Sequence, residues 1–361
     1  MNHHARLQSL QEAVERRKLD GLLISHPPNL RYLCGFTGSA GALLVSSGGK
    51  IFFTDGRYSE QAHAEVRGAK IAIGRKAPLM AAAAWLSRRS RGKSTRLIGV
   101  EGEHLTVAAR HRLADALPKK VRLREAPPLV EQARMVKDAE EVEAIRAAVV
   151  EGAQLFDRAL EVMRPGVREI EVAAEMEYAA RRAGADAMSF ETIIASGPRS
   201  ALPHGRASGA VIGAGLVVCD FGVILHGYCS DRTRTVYVGS APEEAQRVYA
   251  AVLEAQQAAI AAVGPGASVS QVDRAARKVL QSNGLAKHFT HSTGHGVGLE
   301  IHEAPRVGKG QREILRPGMV ITIEPGVYLP GKWGVRIEDM VVVTERSYEV
   351  LTPTQKEFIV I

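Results

Sequence analysis

Four histidines crowd into the fifteen residues from His288 to His302 within HFTHSTGHGVGLEIHEAP, and four carboxylates stand at the ends of apolar runs or beside them. Asp220 follows Leu216-Val217-Val218-Cys219, and Glu324 follows Met319-Val320-Ile321-Thr322-Ile323; Asp231 lies in CSDRTRTVYV and Glu338 in VRIEDMVVV. An acid embedded in an apolar strand is costly to bury unless it is paired or bound to a metal. For any one of these acids, capping the next turn or pairing with Arg234 or Arg336 is explanation enough. Four at matching places repel one another, and cations between them remove the repulsion. One imidazole and four carboxylates balance two divalent ions, and oxygen-dominated donors favour Mn²⁺, Co²⁺ or Fe²⁺, with Zn²⁺ also admissible. Two such ions ~3.5–4 Å apart hold a bridging water and lower its pKa toward neutrality, giving a hydroxide nucleophile and a polarised carbonyl. The chemistry expected is hydrolysis.

His291 and His295 are four apart, the spacing of a helical zinc pair, but Gly294 and Gly296 argue against a helix. The stretch reads as loop or strand, with glycines that let backbone approach closely and leave the His295 imidazole uncovered.

The elements that must position these residues form an internal repeat. Pro165-Gly166 opens a helix closing at Gly184, and Pro265-Gly266 opens another closing at Gly284, an internal spacing of 19 in both cases. A histidine follows each helix, His204 in LPHGR and His302 in EIHEA. Each half then supplies a strand ending in an acid and a glycine, LVVCDFG and MVITIEPG, and a second strand bearing another acid. Two such halves facing each other bring four carboxylates to one cleft; a unit this long and used twice indicates duplication, not a solenoid.

Ahead of the repeat, GLLIS, ALLVS, KIFFTD, KIAIG and LIGVE are strand-length apolar runs separated by helical stretches at 59–67 and 78–90, the pattern of an α/β layer. Pro127-Pro128 punctuates the chain, and VEQARMVKDAEEVEAIRAAVVEGAQLFDRAL beyond it reads as one or two amphipathic helices. Two domains are therefore expected, 1–127 and 128–361, in line with a length of 361 residues. The net charge of +8 divides at the same point: residues 1–127 hold 22 Lys and Arg against 10 Asp and Glu, and residues 128–361 hold 25 against 29. A basic cluster of Arg88, Arg89, Arg91, Lys93 and Arg96 has no interleaved aromatics and no reading motif, so a solvated face or subunit contact is expected rather than nucleic acid. Gly92-Lys93-Ser94 resembles the tail of a phosphate loop, but Ser87 stands where the loop glycine is required. Three cysteines build no disulfide framework, no run reaches the ~20 apolar residues of a membrane span, and a cytoplasmic protein without a membrane partner is expected.

At DFG…SDRTRT, HSTGHGVGLEIHE, ITIEPGVY and GVRIED the sequence resembles the pita-bread metallopeptidases, which include aminopeptidase P, prolidase and methionine aminopeptidase. Asp231 lies eleven positions after Asp220, a spacing of the family's kind. The resemblance implies that Asp220 chelates one metal, that Asp231 and Glu338 bridge both, and that His295 and Glu324 complete the second. It makes Glu324 the general base, with His204 and His302 hydrogen-bonding the scissile peptide and its oxyanion. It makes Arg336 an arginine that supports the ligands, and places His291 and Tyr328 along the substrate pocket. The segment NLRYLCGFTGSAGALLVSSGGKIFFTDGRYSEQA is similar to the creatinase-like amino-terminal domain of Xaa-Pro peptidases, and GFTGSAG followed by TDGRY is closer to aminopeptidase P than to prolidase. The fold implied is α+β, a creatinase-like α/β domain followed by a pita-bread domain with an internal pseudo-two-fold repeat.

The expected activity is that of an Xaa-Pro aminopeptidase, acting with two divalent ions, Mn²⁺ foremost, on short peptides with proline second. A tertiary amide without an N–H suits such a cleft better than a peptidase that depends on extended backbone pairing. Prolidase is the alternative; Arg306, in HEAPR, is placed either to bind a dipeptide's carboxylate or simply on the surface. A homodimer is implied by the family. A catalytically silent binding homologue is opposed by the complete ligand set, and nucleophile catalysis by the absence of a Gly-x-Ser-x-Gly elbow, core packing being enough to explain Cys219 and Cys229.

Overall fold

The computed structural model describes residues 1–89 and 95–361, so Arg91, Lys93 and the Gly92-Lys93-Ser94 tripeptide lie outside the described residues. The chain divides into two compact units, Met1–Arg134 and Met135–Ile361.

In the first unit six strands, β1 (Gly21–Ile24), β2 (Ala42–Ser46), β3 (Gly49–Asp55), β4 (Lys70–Gly74), β5 (Arg96–Glu101) and β6 (Val121–Ala126), form one mixed sheet in the order β4-β3-β2-β1-β5-β6. The five apolar runs are β1 to β5. β6, VRLREA, escapes notice because only its two end residues are buried. Around the sheet lie α1 (His3–Arg16), α2 (Pro27–Cys34), α3 (Ser59–Glu65), α4 (Pro78–Arg89), α5 (Val107–Asp115) and α6 (Leu129–Arg134). α1 buries Leu7, Leu10 and Val14 at helical spacing and is capped by the Asn2 side chain, which accepts from the Ala5 N–H at 3.0 Å. Leu44, Phe53, Ala82, Leu86, Ile98 and Leu113 form the core. The unit ends seven residues beyond Pro127 because α6 is tied into it: Arg134 Nη1 donates to Asn29 Oδ1 at 2.7 Å, and Asn29 Nδ2 donates to Glu131 at 2.6 Å.

The second unit opens with α7 (Ala139–Val162), started by a capping box between Asp138 and Glu141, and α8 (Glu169–Ala183). Strands β7 (Ala187–Met188), β8 (Ile193–Ser196), β9 (Gly215–Phe221), β10 (Val223–Leu225), β11 (Tyr228–Cys229) and β12 (Arg232–Val238) follow as two small sheets, β12-β9-β8 and β11-β10-β7. Helices α9 (Glu243–Ala261) and α10 (Val269–Ser282) begin the second half. There β13 (Gly294–Gly296), β14 (Glu303–Val307), β15 (Val320–Ile323), β18 (Asp339–Val343) and β19 (Tyr348–Val350) make a five-stranded sheet, β14-β13-β15-β18-β19, beside the hairpin of β16 (Gly326–Leu329) and β17 (Trp333–Arg336).

The two Pro-Gly loops are built alike. Gly166 and Gly266 adopt φ of 93° and 85°, their N–H groups donate at 2.9 Å to Ile212 and Leu315, and isolated antiparallel bridges pin Arg168 to Val211 and Ser268 to Ile314. The helices after them end at Gly184 and Gly284, both left-handed, with φ of 100° and 72°. Among the described residues no helix is long and apolar enough to cross a membrane.

Candidate active site

Asp220 is the penultimate residue of β9 and pairs across to Thr233 of β12, whose first residue, Arg232, follows Asp231. Glu324 follows β15 directly. VRIEDMVVV is not one strand: Ile337 and Glu338 separate β17 from β18, where the chain leaves the hairpin for the large sheet and the Glu338 N–H donates to Thr233 O at 3.1 Å. All four acids thus sit at or beside strand ends. The histidine stretch is loop and strand, and β13 carries His295 between β14 and β15. Its glycines have a sharper purpose than uncovering the imidazole. A Cβ on Gly294 would lie 1.9 Å from Thr322 O, and one on Gly296 would lie 2.2 Å from Ala304 O, so neighbouring backbone occupies the space of any side chain.

A cavity of about 640 Å³ is lined by Asp220, Asp231, His295, Glu324 and Glu338, together with His204, His291, His302, Arg306 and Arg336. Ligand atoms of Asp231, His295 and Glu338 lie within 4.8 Å of one another. His295 Nδ1 donates to Gly296 O at 3.0 Å, which leaves the Nε2 lone pair facing Asp231 Oδ2 and Glu324 Oε1, both at 3.5 Å. Burial keeps this imidazole neutral by lowering its pKa. Burial also drives the Asp231 and Glu338 carboxyls well above the usual range, reinforced by repulsion from Asp220 and Glu324 and, for Glu338, from Asp231. Glu324 is pushed up to about 7, chiefly by burial. Asp220 gives one oxygen to Arg336 Nη2 at 2.6 Å, while its buried Oδ1 has no hydrogen-bond partner among the described residues. An orphaned carboxylate oxygen, two acids unfavourable as anions and an imidazole with its lone pair turned inward are donors that fit hard divalent cations.

Tyr328 does not line the cavity but stands behind it, accepting from Arg336 Nη1 at 2.7 Å and bonded to His291 Nε2 at 2.9 Å. Arg336 also donates to Thr233 Oγ1 at 3.0 Å and Pro203 O at 3.0 Å, so one guanidinium ties Asp220 to the segment preceding His204. Burial disfavours its charge, but Tyr328, Asp220 and Glu324 raise its pKa well above the usual value. His302 is lowered by burial and by His295, and lies against the His295 ring with centroids 4.4 Å apart. Two threonines escaped the sequence reading. Thr233 Oγ1 donates to Glu338 at 2.8 Å and Thr322 Oγ1 to Glu324 at 3.3 Å; their signal is a threonine two residues from an acid, in Asp231-x-Thr233 and Thr322-x-Glu324. Cys219 and Cys229 are packed in the core, their thiols pushed up to about 12 by burial.

Residues 143–345 match the family model described as Metallopeptidase family M24. The chain belongs to this family. Residues 6–136 match the Creatinase/Prolidase N-terminal domain, so this M24 metallopeptidase is an α+β protein with a creatinase-type first domain and a pita-bread second one. It is similar to the Xaa-Pro dipeptidase of Pyrococcus furiosus, at 36% identity over 98% of this chain and 99% of the relative. The solved Xaa-Pro dipeptidase from Bacillus anthracis shares 38% identity and superposes with a TM-score of 0.94 over 100% of both chains. The X-Pro aminopeptidase from Thermotoga maritima shares 34% identity, with a TM-score of 0.88 over 98% of this chain and 99% of that one.

Proposed function

We propose that this metallopeptidase is an Xaa-Pro dipeptidase, a prolidase, releasing proline from dipeptides. The observation that carries the reading is the gathering of five donor side chains, three histidines and Arg306 on one cavity. Full-length likeness to proteins named as dipeptidases supports it over the Xaa-Pro aminopeptidase that GFTGSAG and TDGRY favoured. The aminopeptidase remains the second reading, supported by the likeness to the Thermotoga maritima protein.

In the proposal Asp220 would hold one divalent ion, Asp231 and Glu338 would serve both, and His295 with Glu324 would complete the second. Mn²⁺ is the ion proposed, on the grounds of an oxygen-rich donor set. Bound there, the pair of ions supplies Lewis acidity and acidifies water. Glu324, a carboxylate on the wall of the cavity, is the base proposed to accept the proton of the attacking water. His204 and His302 hydrogen-bond the scissile carbonyl oxygen as negative charge develops on it, and the lowered pKa of His302 keeps it neutral beside the cations. Arg336 holds Asp220 in place and, with Tyr328, orients His291 against the substrate. Arg306 pairs with the dipeptide's carboxylate. The first unit, through Arg134, is proposed as accessory and the second as catalytic, in a cytoplasmic homodimer; buried free thiols suit a reducing compartment.

The test compares an Xaa-Pro dipeptide with an Xaa-Pro-Xaa tripeptide on metal-stripped protein reloaded with one ion at a time. Strong preference for the tripeptide would install the aminopeptidase, and cleavage of neither would overturn both readings. Arg306→Gln should raise KM for the dipeptide alone. Light scattering on the eluting gel-filtration peak checks the dimer.

A further inference from the structure

We propose that Arg199 and Arg277 are positioning residues, each holding through a backbone carbonyl the segment that carries one substrate histidine, His204 or His291. The assignment rests on the dipeptidase reading for the roles of those histidines; the geometry is independent of it.

In the first half, Glu169 at the start of α8 has a fully buried carboxylate. It accepts from Ser196 N and Oγ at 2.8 Å each, from Ser208 N at 3.2 Å and Oγ at 2.7 Å, and from Arg199 Nε at 3.0 Å. Arg199 then uses Nη2 to reach Arg206 O at 2.7 Å, closing the loop on which His204 stands. The loop is held at both ends to one carboxylate and across its middle by one guanidinium.

In the second half, Asp273 of α10 is buried and accepts from Thr293 Oγ1 and Arg277 Nε, both at 2.8 Å. Arg277 donates from Nη2 to His291 O at 2.6 Å and from Nη1 to Phe289 O at 3.2 Å, and its guanidinium lies 4.2 Å from the Phe289 ring centroid. Thr293 O in turn accepts from the Glu324 N–H at 2.7 Å. Carboxylate, arginine and a carbonyl of the histidine-bearing segment thus recur in the same order in both halves, the carbonyl being that of Arg206, two residues past His204, in the first and that of His291 itself in the second.

The two relays are not inherited copies. Glu169 and Arg199 stand thirty residues apart on different elements, whereas Asp273 and Arg277 are one turn apart on a single helix. The repeat places Glu169 opposite Val269, not opposite Asp273. A duplication that had merely kept its hydrogen bonds would have kept their positions; the same arrangement reached from different positions points to a demand of the site itself. The guanidinium is the group for it, because its planar fork serves an acid and a carbonyl at once, which an ammonium on one stem does not.

The experiment uses Arg199→Lys and Arg277→Lys in the full chain, both of which keep a cation beside the carboxylate. With an Xaa-Pro dipeptide, Arg277→Lys should raise KM about 10-fold with little change in kcat, and Arg199→Lys should lower kcat about 10-fold with little change in KM. Gly184→Ala, which strains a left-handed residue with φ of 100° at the far end of α8 and touches neither relay, should lower the melting temperature and leave both constants alone. An independent readout is the imidazole NMR signals of histidine-labelled, metal-free protein: Arg277→Lys should displace that of His291 and spare His204, and Arg199→Lys the reverse. Unmoved signals, an equal loss of kcat in both variants in step with stability, or a Gly184→Ala that behaves like Arg199→Lys would each overturn the proposal. A wild-type protein inert toward Xaa-Pro peptides would overturn the dipeptidase reading alone, since the imidazole signals still decide the positioning.

Discussion

Replacing Glu324 by glutamine should make the metal-stripped protein more stable at pH 8, although it removes a proposed ligand and base. The carboxyl's pKa rises from 4.5 to about 7 in the folded chain, driven by burial and by Asp220. A group whose folded pKa lies above its unfolded value contributes stability below pH 4.5 and loses it as pH climbs through 7. At pH 8 the folded state therefore carries an ionised Glu324 that the unfolded state bears freely, a penalty of about 3 kcal/mol for a shift of this size. Glutamine has no such penalty. In excess chelator, Glu324→Gln should melt roughly 6–12 °C above the wild type at pH 8 by calorimetry. At pH 5 the carboxyl is protonated in the fold and the gap should shrink to below about 1 kcal/mol. The buried histidines, whose lowered pKa values act in the opposite direction, are common to both proteins and cancel in the difference. A variant that melts below the wild type at pH 8, or a gap that does not change between pH 5 and pH 8, would refute the reasoning. After reloading with Mn²⁺ the order should invert.

Asp231→Asn should weaken Mn²⁺ binding by more than ~100-fold, read by titration calorimetry, since it removes an acid from the tightest group of donors. Asp339→Asn removes the negative charge that faces Arg234 at 2.8 Å and Lys356 at 2.6 Å; with Arg234 buried, the chemical-denaturation midpoint should fall by the equivalent of about 3–5 kcal/mol. Gly294→Ala sets a methyl against Thr322 O and should destabilise by about 1–3 kcal/mol, with metal affinity lost alongside the thermal midpoint.

What the sequence discloses and what it hides divide along a physical line. Local signals survive in one dimension: the Pro-Gly starts and glycine stops of α8 and α10, and the apolar runs of β1 to β5, are periodicity and turn chemistry. The acids were legible because a carboxylate beside an apolar run conflicts with its surroundings. The break at Ile337-Glu338 was not, since VRIEDMVVV is apolar and β-branched enough to read as one strand, and pairing to Thr233 across the fold marks where the chain turns aside. Arg199 and Arg277 were silent, and Thr233 and Thr322 gave only the weak signal of a threonine two residues from an acid. Each is ordinary in its own segment, and the roles of Arg199, Arg277 and Thr233 lie in hydrogen bonds that link the two halves or that cross between distant elements of one half.

The three-residue strand bearing His295 lies between two others at distances that only glycine tolerates, and its ring is pinned by the following carbonyl. The imidazole is therefore the fixed coordinate of the proposed centre, and accommodation to ions of different radius falls to the carboxylates, of which Asp220 keeps Oδ1 without a hydrogen-bond partner among the described residues. Exchanging one metal for another should leave the histidine where it is and register in the acids. In such a centre, tolerance of several ions and strict geometry at the imidazole are compatible properties of one strand.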